Sequence, residues 1–270
     1  MDFPEPIAPI KTKGVTLRWL AIEQRSMTAL ADQSVLLTGA SSGIGEATAH
    51  ALAADGADLS LLARRKKRLT TLADELEATH DIDTLVIPTD MREEAAVTEA
   101  VDRTAETFGG IDVVVSNAGL GRGSSVEDLS TEEYQAMMDT NVDGSFFLTR
   151  AAIPHLRRSD GNLIFVGSFA GKYPRPFNPV YAASKWWVRG FAMSVAGQVG
   201  EDGIGVSVIN PTEVRTEFGS EDGTAFEDRF EPGEVTEPEE VAEAIAFAAA
   251  QDNSTVNELD LYRRDKFSGW

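Results

Sequence analysis

Tyr181-Ala-Ala-Ser-Lys185 sets a phenol and an ammonium four residues apart, on one face of a helix and one turn from each other. A free tyrosine phenol has a pKa of about 10 and keeps its proton at neutral pH. A neighbouring ammonium favours the phenolate. The spacing therefore predicts a Tyr181 pKa drawn down towards the working range, and general acid–base chemistry at its oxygen. Alone, the pattern is no more than what any amphipathic helix with a half-buried Tyr and a solvated Lys can show. Its weight comes from Ser168 and from the turn Thr38-Gly39-Ala40-Ser41-Ser42-Gly43-Ile44-Gly45. That turn follows the apolar run Val35-Leu36-Leu37 and opens a helix, where backbone N–H groups and the helix dipole can hold a pyrophosphate. Gly39 permits the tight turn, Gly43 lets the phosphates approach, and Gly45 lets the helix pack close to the strand. The bland alternative is a turn that serves packing only, and the strand–turn–helix setting argues against it.

The elements that must position these groups follow from the apolar pattern. Short apolar runs at 35–38, 58–63, 84–88, 111–116, 162–166, 206–209 and 258–262 alternate with helical stretches at 46–53, 65–79, 92–107, 131–158, 179–200 and 238–250. Such alternation predicts one α/β domain, a doubly wound, Rossmann-like parallel sheet of seven strands with helices on both faces. Pro154 falls near the end of the stretch 131–158, where a kink or stop is expected. The Gly- and acid-rich segment 217–235 reads as a lid. The domain spans 31–270. Residues 1–30 form an extension unlike the rest, either an arm that packs on the body or sequence upstream of a start at Met27.

The turn Thr38–Gly45, then Asn117-Ala118-Gly119, Asn141, Ser168 and Tyr181-x-x-x-Lys185 resemble, in this order and spacing, the short-chain dehydrogenase/reductase family. The match runs from about residue 34 to the C-terminus. The resemblance implies an oxidoreductase that moves hydride between a nicotinamide and a carbonyl or secondary alcohol of a small substrate. It implies that Ser168 hydrogen-bonds the substrate oxygen, Tyr181 transfers the proton, and Lys185 holds the nicotinamide ribose and depresses the Tyr181 pKa. Asn141 would kink its helix and bind a water joining Lys185 to solvent. The cofactor would lie along Gly39, Ser41, Ser42, Gly43, Ile44 and Gly45, then Asn117, Ala118 and Gly119. Asp90 would meet the adenine amino group with Met91 beside it, and Pro211, Val214 and Thr216 would meet the carboxamide and pyrophosphate.

The end of the second strand chooses between cofactors. An acid there would favour NAD(H); this chain has Ala63 followed by Arg64 and Arg65, and a guanidinium can grip a 2′-phosphate bidentately. NADP(H) is therefore favoured over NAD(H), although Arg64, Arg65, Lys66 and Lys67 could also be a solvated helix start. One departure from the family is visible: its Pro-Gly after the sixth strand is here Pro211-Thr212, followed by Glu213. Phe169, Tyr173, Arg175, Phe177, Phe218, Phe226 and Phe230 are candidates for the substrate rim or equally for hinge and core packing. Arg175 or Lys172 could pair with a substrate carboxylate. The chain end and Thr216-Glu217-Phe218 resemble the branch of NADP-dependent 3-hydroxy acid and L-allo-threonine dehydrogenases. Trp186 and Trp187 stand on a helix that forms the subunit seam in the family, which implies a homo-oligomer, dimer or tetramer. The competing class is a catalytically silent protein that senses a dinucleotide on the same fold; it would be expected to have lost Tyr181 or Lys185.

Composition narrows the rest. With 44 acidic against 24 basic residues the net charge is −20, which repels nucleic-acid phosphates. The surface is rich in acid and poor in Lys, like those of proteins from salt-accumulating halophiles. There is no Cys, and His50, His80 and His155 lack metal-ligand spacing. No apolar run approaches the ~18 residues of a membrane span, and the N-terminus has no signal-peptide pattern. A soluble, cytoplasmic enzyme without metal is the expectation.

Overall fold

The computed structural model describes residues 29–219 and 224–268, so the extension up to residue 28 lies outside the described residues. Seven strands form one sheet: β1 (Ser34–Thr38), β2 (Asp58–Ala63), β3 (Thr84–Pro88), β4 (Val113–Ser116), β5 (Asn162–Val166), β6 (Gly205–Pro211) and β7 (Glu258–Leu261). Their order is β3-β2-β1-β4-β5-β6-β7, and every pairing is parallel. The helices are α1 (Gly43–Ala54), α2 (Lys66–Thr79), α3 (Glu94–Phe108), α4 (Thr131–Met138), α5 (Gly144–Ser159), α6 (Pro179–Val199), α7 (Phe226–Arg229) and α8 (Pro238–Ala249).

Successive side chains of a strand point to opposite faces, and here both faces are apolar. Val35 and Leu37 of β1 join one core with Leu52 of α1, Leu69 of α2 and Ile245 of α8. Leu36 joins the other with Val101 of α3, Leu148 of α5 and Val188 of α6. This is the two-faced burial that continuous apolar strands require. Leu30, at the border of the extension, is fully buried in the first core, and its N–H donates to Asp55 O at 3.0 Å.

Two local expectations change. The stretch 131–158 is not one helix: a π turn at Asp139–Asp143 separates α4 from α5. Pro154 does not stop the chain, because α5 continues through it to Ser159 and ends only where Asp160 takes a left-handed φ of 50°. The break falls at Asn141, thirteen residues earlier, where the resemblance implied a kink and where a buried amide is needed by another loop.

The nucleotide cleft and candidate active site

The C-terminal ends of the strands open on a cleft of about 460 Å³. Every catalytic and cofactor residue predicted from the sequence lines it except Asn141, which sits just behind; of the rim candidates, Phe169, Tyr173, Lys172 and Phe230 do not. The order reversal between β1 and β4 creates the crevice, as open parallel sheets do at such a switch point.

Thr38 ends β1 and stitches two loops together. Its buried hydroxyl donates to Val115 O at 3.2 Å and accepts from the N–H groups of Asn117 and Ala118, both at 3.0 Å. The Asn117 amide donates back to Thr38 O at 2.9 Å. The Asn117-Ala118-Gly119 segment is thereby fixed against the glycine turn. Gly43 has a φ of +56°, and a Cβ there would stand 2.9 Å from Thr216 Cγ2. A Cβ on Gly45 would run into Gly39 O and come within 2.7 Å of Asn117 Nδ2. These glycines let α1 begin hard against the strand end, with the first-turn residues Gly43, Ile44 and Gly45 lining the cleft.

Tyr181 and Lys185 lie one turn apart on α6 and reach the cleft from the other side of β5. Ser168 follows β5; its hydroxyl accepts from Ala170 N at 3.1 Å, and it lines the cleft with Tyr181. The expected depression of the phenol pKa is not what the structure gives. Burial pushes Tyr181 above its ordinary 10, against the lowering effects of the Ser168 hydroxyl and the Arg175 charge. Lys185 is itself only 6% exposed, and burial brings its pKa down to about 8. Its Nζ donates to Val166 O at 2.9 Å and stands 6.0 Å from the Tyr181 ring centre. Spacing on a helix made the two residues neighbours, but desolvation decides the sign of the phenol shift.

Asn141 is 1% exposed at the π turn. Its Oδ1 accepts from Leu120 N and its Nδ2 donates to Leu120 O, both at 2.9 Å, with a further bond to Ser184 Oγ at 3.0 Å. The amide so holds the loop after Gly119 to α6. A Cβ on Gly119 would meet Asn141 Oδ1 at 3.3 Å and Lys185 Nζ at 3.4 Å. The glycine therefore keeps open the space between those two groups.

At the adenosine end, Arg65 lies across the mouth of the turn. Its Nε donates to Ser41 Oγ at 3.1 Å and its Nη2 to Ser41 O at 3.3 Å and Ser42 Oγ at 2.5 Å. Arg64 also lines the cleft. Asp90 accepts from Arg92 Nη2 at 2.6 Å, and that hydrogen bond holds its carboxyl below the usual range. Met91 is 7% exposed beside it.

The segment after β6 accommodates its departure from Pro-Gly without strain. The only left-handed non-glycine residues among those described are Asp32 and Asp160, so Thr212 needs no glycine. Thr212 N–H donates to Leu261 O at 3.0 Å, and its hydroxyl accepts from Arg263 N at 3.1 Å. Glu213, next along, lines the cleft and accepts from Lys266 Nζ at 2.7 Å and Arg175 Nη2 at 3.1 Å. Burial would raise its pKa, but these hydrogen bonds, aided by the Lys266 charge, hold it at about 2.

The rim residues divide. Phe218 lies 5.8 Å from Tyr181 and the same distance from Phe226, ring centre to ring centre, and all three line the cleft with Phe177 and Arg175. Phe169 and Tyr173 instead stack at 4.4 Å in an aromatic cluster with Tyr262 and Phe267. Lys172 is committed to Asp260 and Glu258 and does not line the cleft. Sequence reasoning did not assign Thr38, Glu213, Glu217, Arg92 or Lys266 to the site. Thr38 was legible in the motif itself; Arg92 pairs with Asp90 two residues before it, and the other three act through partners remote in sequence.

No group of His, Cys, Asp or Glu among the described residues could hold a metal ion, and no described helix is long and apolar enough to cross a membrane. A profile of the family described as short chain dehydrogenase matches residues 33–225. An uncharacterized oxidoreductase of Staphylococcus aureus is 32% identical over 237 residues, covering 86% of this chain and 98% of that protein. An alcohol dehydrogenase of the archaeon Thermococcus sibiricus, complexed with 5-hydroxy-NADP, superposes with a TM-score of 0.81 at 30% identity, over 88% of this chain and 99% of that one. A 3-ketoacyl-(acyl-carrier-protein) reductase of Brucella melitensis, complexed with NADH, does so with a TM-score of 0.77 at 30% identity, over 86% and 98%. With the family profile spanning most of the described body and relatives covering nearly all of it, the chain belongs to the short chain dehydrogenase family, as an oxidoreductase that uses a nicotinamide dinucleotide on a small-molecule substrate.

Proposed function

We propose that this protein is an NADP(H)-dependent oxidoreductase that interconverts a carbonyl and a secondary alcohol, with small 3-hydroxy acids as its substrate class. The observation that carries the reading is the grouping of Ser168, Tyr181 and Lys185 at the inner end of a cleft whose outer end is crossed by Arg65. The cleft fits the cofactor. Gly43 and Gly45 leave room that side chains would fill, and Arg65 and Arg64 supply cations where an adenosine 2′-phosphate would lie. When bound, the nicotinamide supplies or takes up the hydride.

The chain's own residues do the rest. Ser168 and Tyr181 hold the substrate oxygen, and the phenol, kept protonated by its burial, gives its proton to that oxygen during reduction. Lys185 steadies the site from Val166 O and, across the gap kept open by Gly119, faces Asn141. That gap suits a relay that returns a proton to the phenol. Arg175 supports an acidic substrate: it reaches the Tyr181 phenol electrostatically and shares Glu213 with Lys266, which leaves two cations against one carboxylate. The complete Asn141, Ser168, Tyr181 and Lys185 set leaves the silent sensor without an observation in its favour.

Two broader assignments accompany this reading. Phe146, Trp186 and Met193 are large apolar side chains left 39%, 47% and 43% exposed on α5 and α6, which supports a homo-oligomer formed through those helices. The net charge of −20 supports a cytoplasm of high salt.

Purified protein in high KCl should bind NADPH more tightly than NADH and oxidise NADPH with small 3-oxo acids. Tyr181→Phe should bind NADPH normally and turn over at least about 100-fold more slowly. Equal or tighter NADH binding would overturn the cofactor assignment, and full turnover by Tyr181→Phe would overturn the proton-transfer role.

A further inference from the structure

Glu217 follows Thr216 at the cleft's edge, yet its carboxylate does not face solvent alone. One oxygen accepts from Arg65 Nη1 at 2.9 Å and the other from Arg68 Nη1 at 2.6 Å. These partners are 152 and 149 residues away in sequence, at the N-cap and in the first turn of α2. The same Arg65 is already steered by Ser41 and Ser42. An oxyanion forked by two guanidinium groups beside the glycine turn is the arrangement a phosphate monoester would occupy.

We infer that Glu217 is an internal stand-in for the adenosine 2′-phosphate, and that its displacement sets how strongly the protein prefers NADP(H) to NAD(H). This rests on the NADP(H) reading above. A phosphate monoester carries close to two charges at neutral pH and is a stronger acceptor than a carboxylate, so it wins Arg65 and Arg68. The cost of expelling Glu217 is subtracted from its binding. A ribose with a free 2′-hydroxyl has no charge to exchange, so the Glu217 bridge persists and that ligand bears no such cost. Glu217 thus lowers affinity for the phosphorylated cofactor selectively. It also gives Arg65 and Arg68, two of the five successive cations Arg64 to Arg68, a counter-charge.

The test uses ligands that carry only the adenosine half. Dissociation constants of 2′,5′-ADP and 5′-AMP are measured by calorimetry on the full chain, with Glu217→Gln, Glu217→Ala and the remote exposed Glu106→Gln as a control for net charge. Both Glu217 variants should tighten 2′,5′-ADP by about three- to tenfold, the size of two half-exposed ion pairs, and shift 5′-AMP by less than about twofold. Glu106→Gln should change neither ratio. The gain should shrink as KCl rises, since the pairs are 36–49% exposed. Unchanged or weaker 2′,5′-ADP binding in both Glu217 variants would overturn the inference while leaving the cofactor assignment intact. A wild-type protein that fails to distinguish 2′,5′-ADP from 5′-AMP would instead sink the cofactor assignment, and this inference with it.

Discussion

Glu213 offers the sharpest quantitative test of how the cleft is built. Its carboxylate is 16% exposed and holds Lys266, itself 9% exposed, at 2.7 Å and Arg175 at 3.1 Å. Its pKa is held at about 2 in the folded protein, against an ordinary 4.5. The folded value is the depressed one, so the associated stability is fully present above about pH 4.5 and is lost as pH falls towards 2. A gap of about 2.5 units corresponds to roughly 3 kcal/mol at neutral pH, and linkage leaves roughly 1.4 kcal/mol of that at pH 3. Glu213→Gln removes the titration and strands two cations that are mostly buried. It should therefore lower stability at pH 7 by about 2–4 kcal/mol and flatten the acid limb. Urea unfolding followed by tryptophan fluorescence, repeated from pH 7 to pH 3, gives both numbers. The wild-type advantage over Glu213→Gln should shrink by roughly 2 kcal/mol across that range. Parallel losses in the two proteins would show that Glu213 does not carry the depressed pKa, and the network between Arg175 and the chain end would then have to be redrawn.

Three further outcomes follow from the same geometry. Lys185, with a folded pKa of about 8 against 10.5, is charged below about 8, and that charge costs stability at every pH below the unfolded value. Lys185→Met should thus stabilise the fold at pH 7 by on the order of 3 kcal/mol in denaturant melts while nearly abolishing turnover, and a destabilised variant would contradict this. In the reductive direction, wild-type kcat/KM should fall as pH rises through about 8, where the Lys185 ammonium is lost; a flat profile to pH 10 would assign the limb to the phenol alone. Asn141→Ala leaves the Leu120 N–H, its carbonyl and Ser184 short of a partner, so thermal melts should show a loss of about 2–4 kcal/mol, and an unchanged melt would mean the loop after Gly119 is held elsewhere.

Where a signal is local, the sequence was enough. The period of the strands gave seven parallel elements within a residue or two at most ends, and the turn at Thr38–Gly45 gave the cleft its place. Tyr181 and Lys185 share a helix face because four residues make one turn, whatever surrounds them. What surrounds them was illegible, and it reversed the expected pKa: proximity to an ammonium is a property of spacing, whereas desolvation is a property of the whole packed site. The interruption at Asn141 was legible through the family resemblance, which implied a kink there; the bonds that hold it were not. A proline is a visible breaker, yet α5 absorbs Pro154, and the real break occurs where Leu120, from another loop, takes both ends of one amide.

The turn after β6 shows how such distant partners rewrite a local rule. A missing glycine reads as strain only if the backbone there must be left-handed. Thr212 is not left-handed: the end of β7 accepts its N–H at Leu261, and the segment that follows gives its hydroxyl an N–H from Arg263. That same segment brings Lys266 to Glu213, and Glu213 to Arg175, 3.1 Å apart at the edge of the cleft. The residues that replace the glycine are therefore docking points for the chain end. Through Lys266 and Glu213, that chain end thus fixes one side of the Arg175 guanidinium at the cleft.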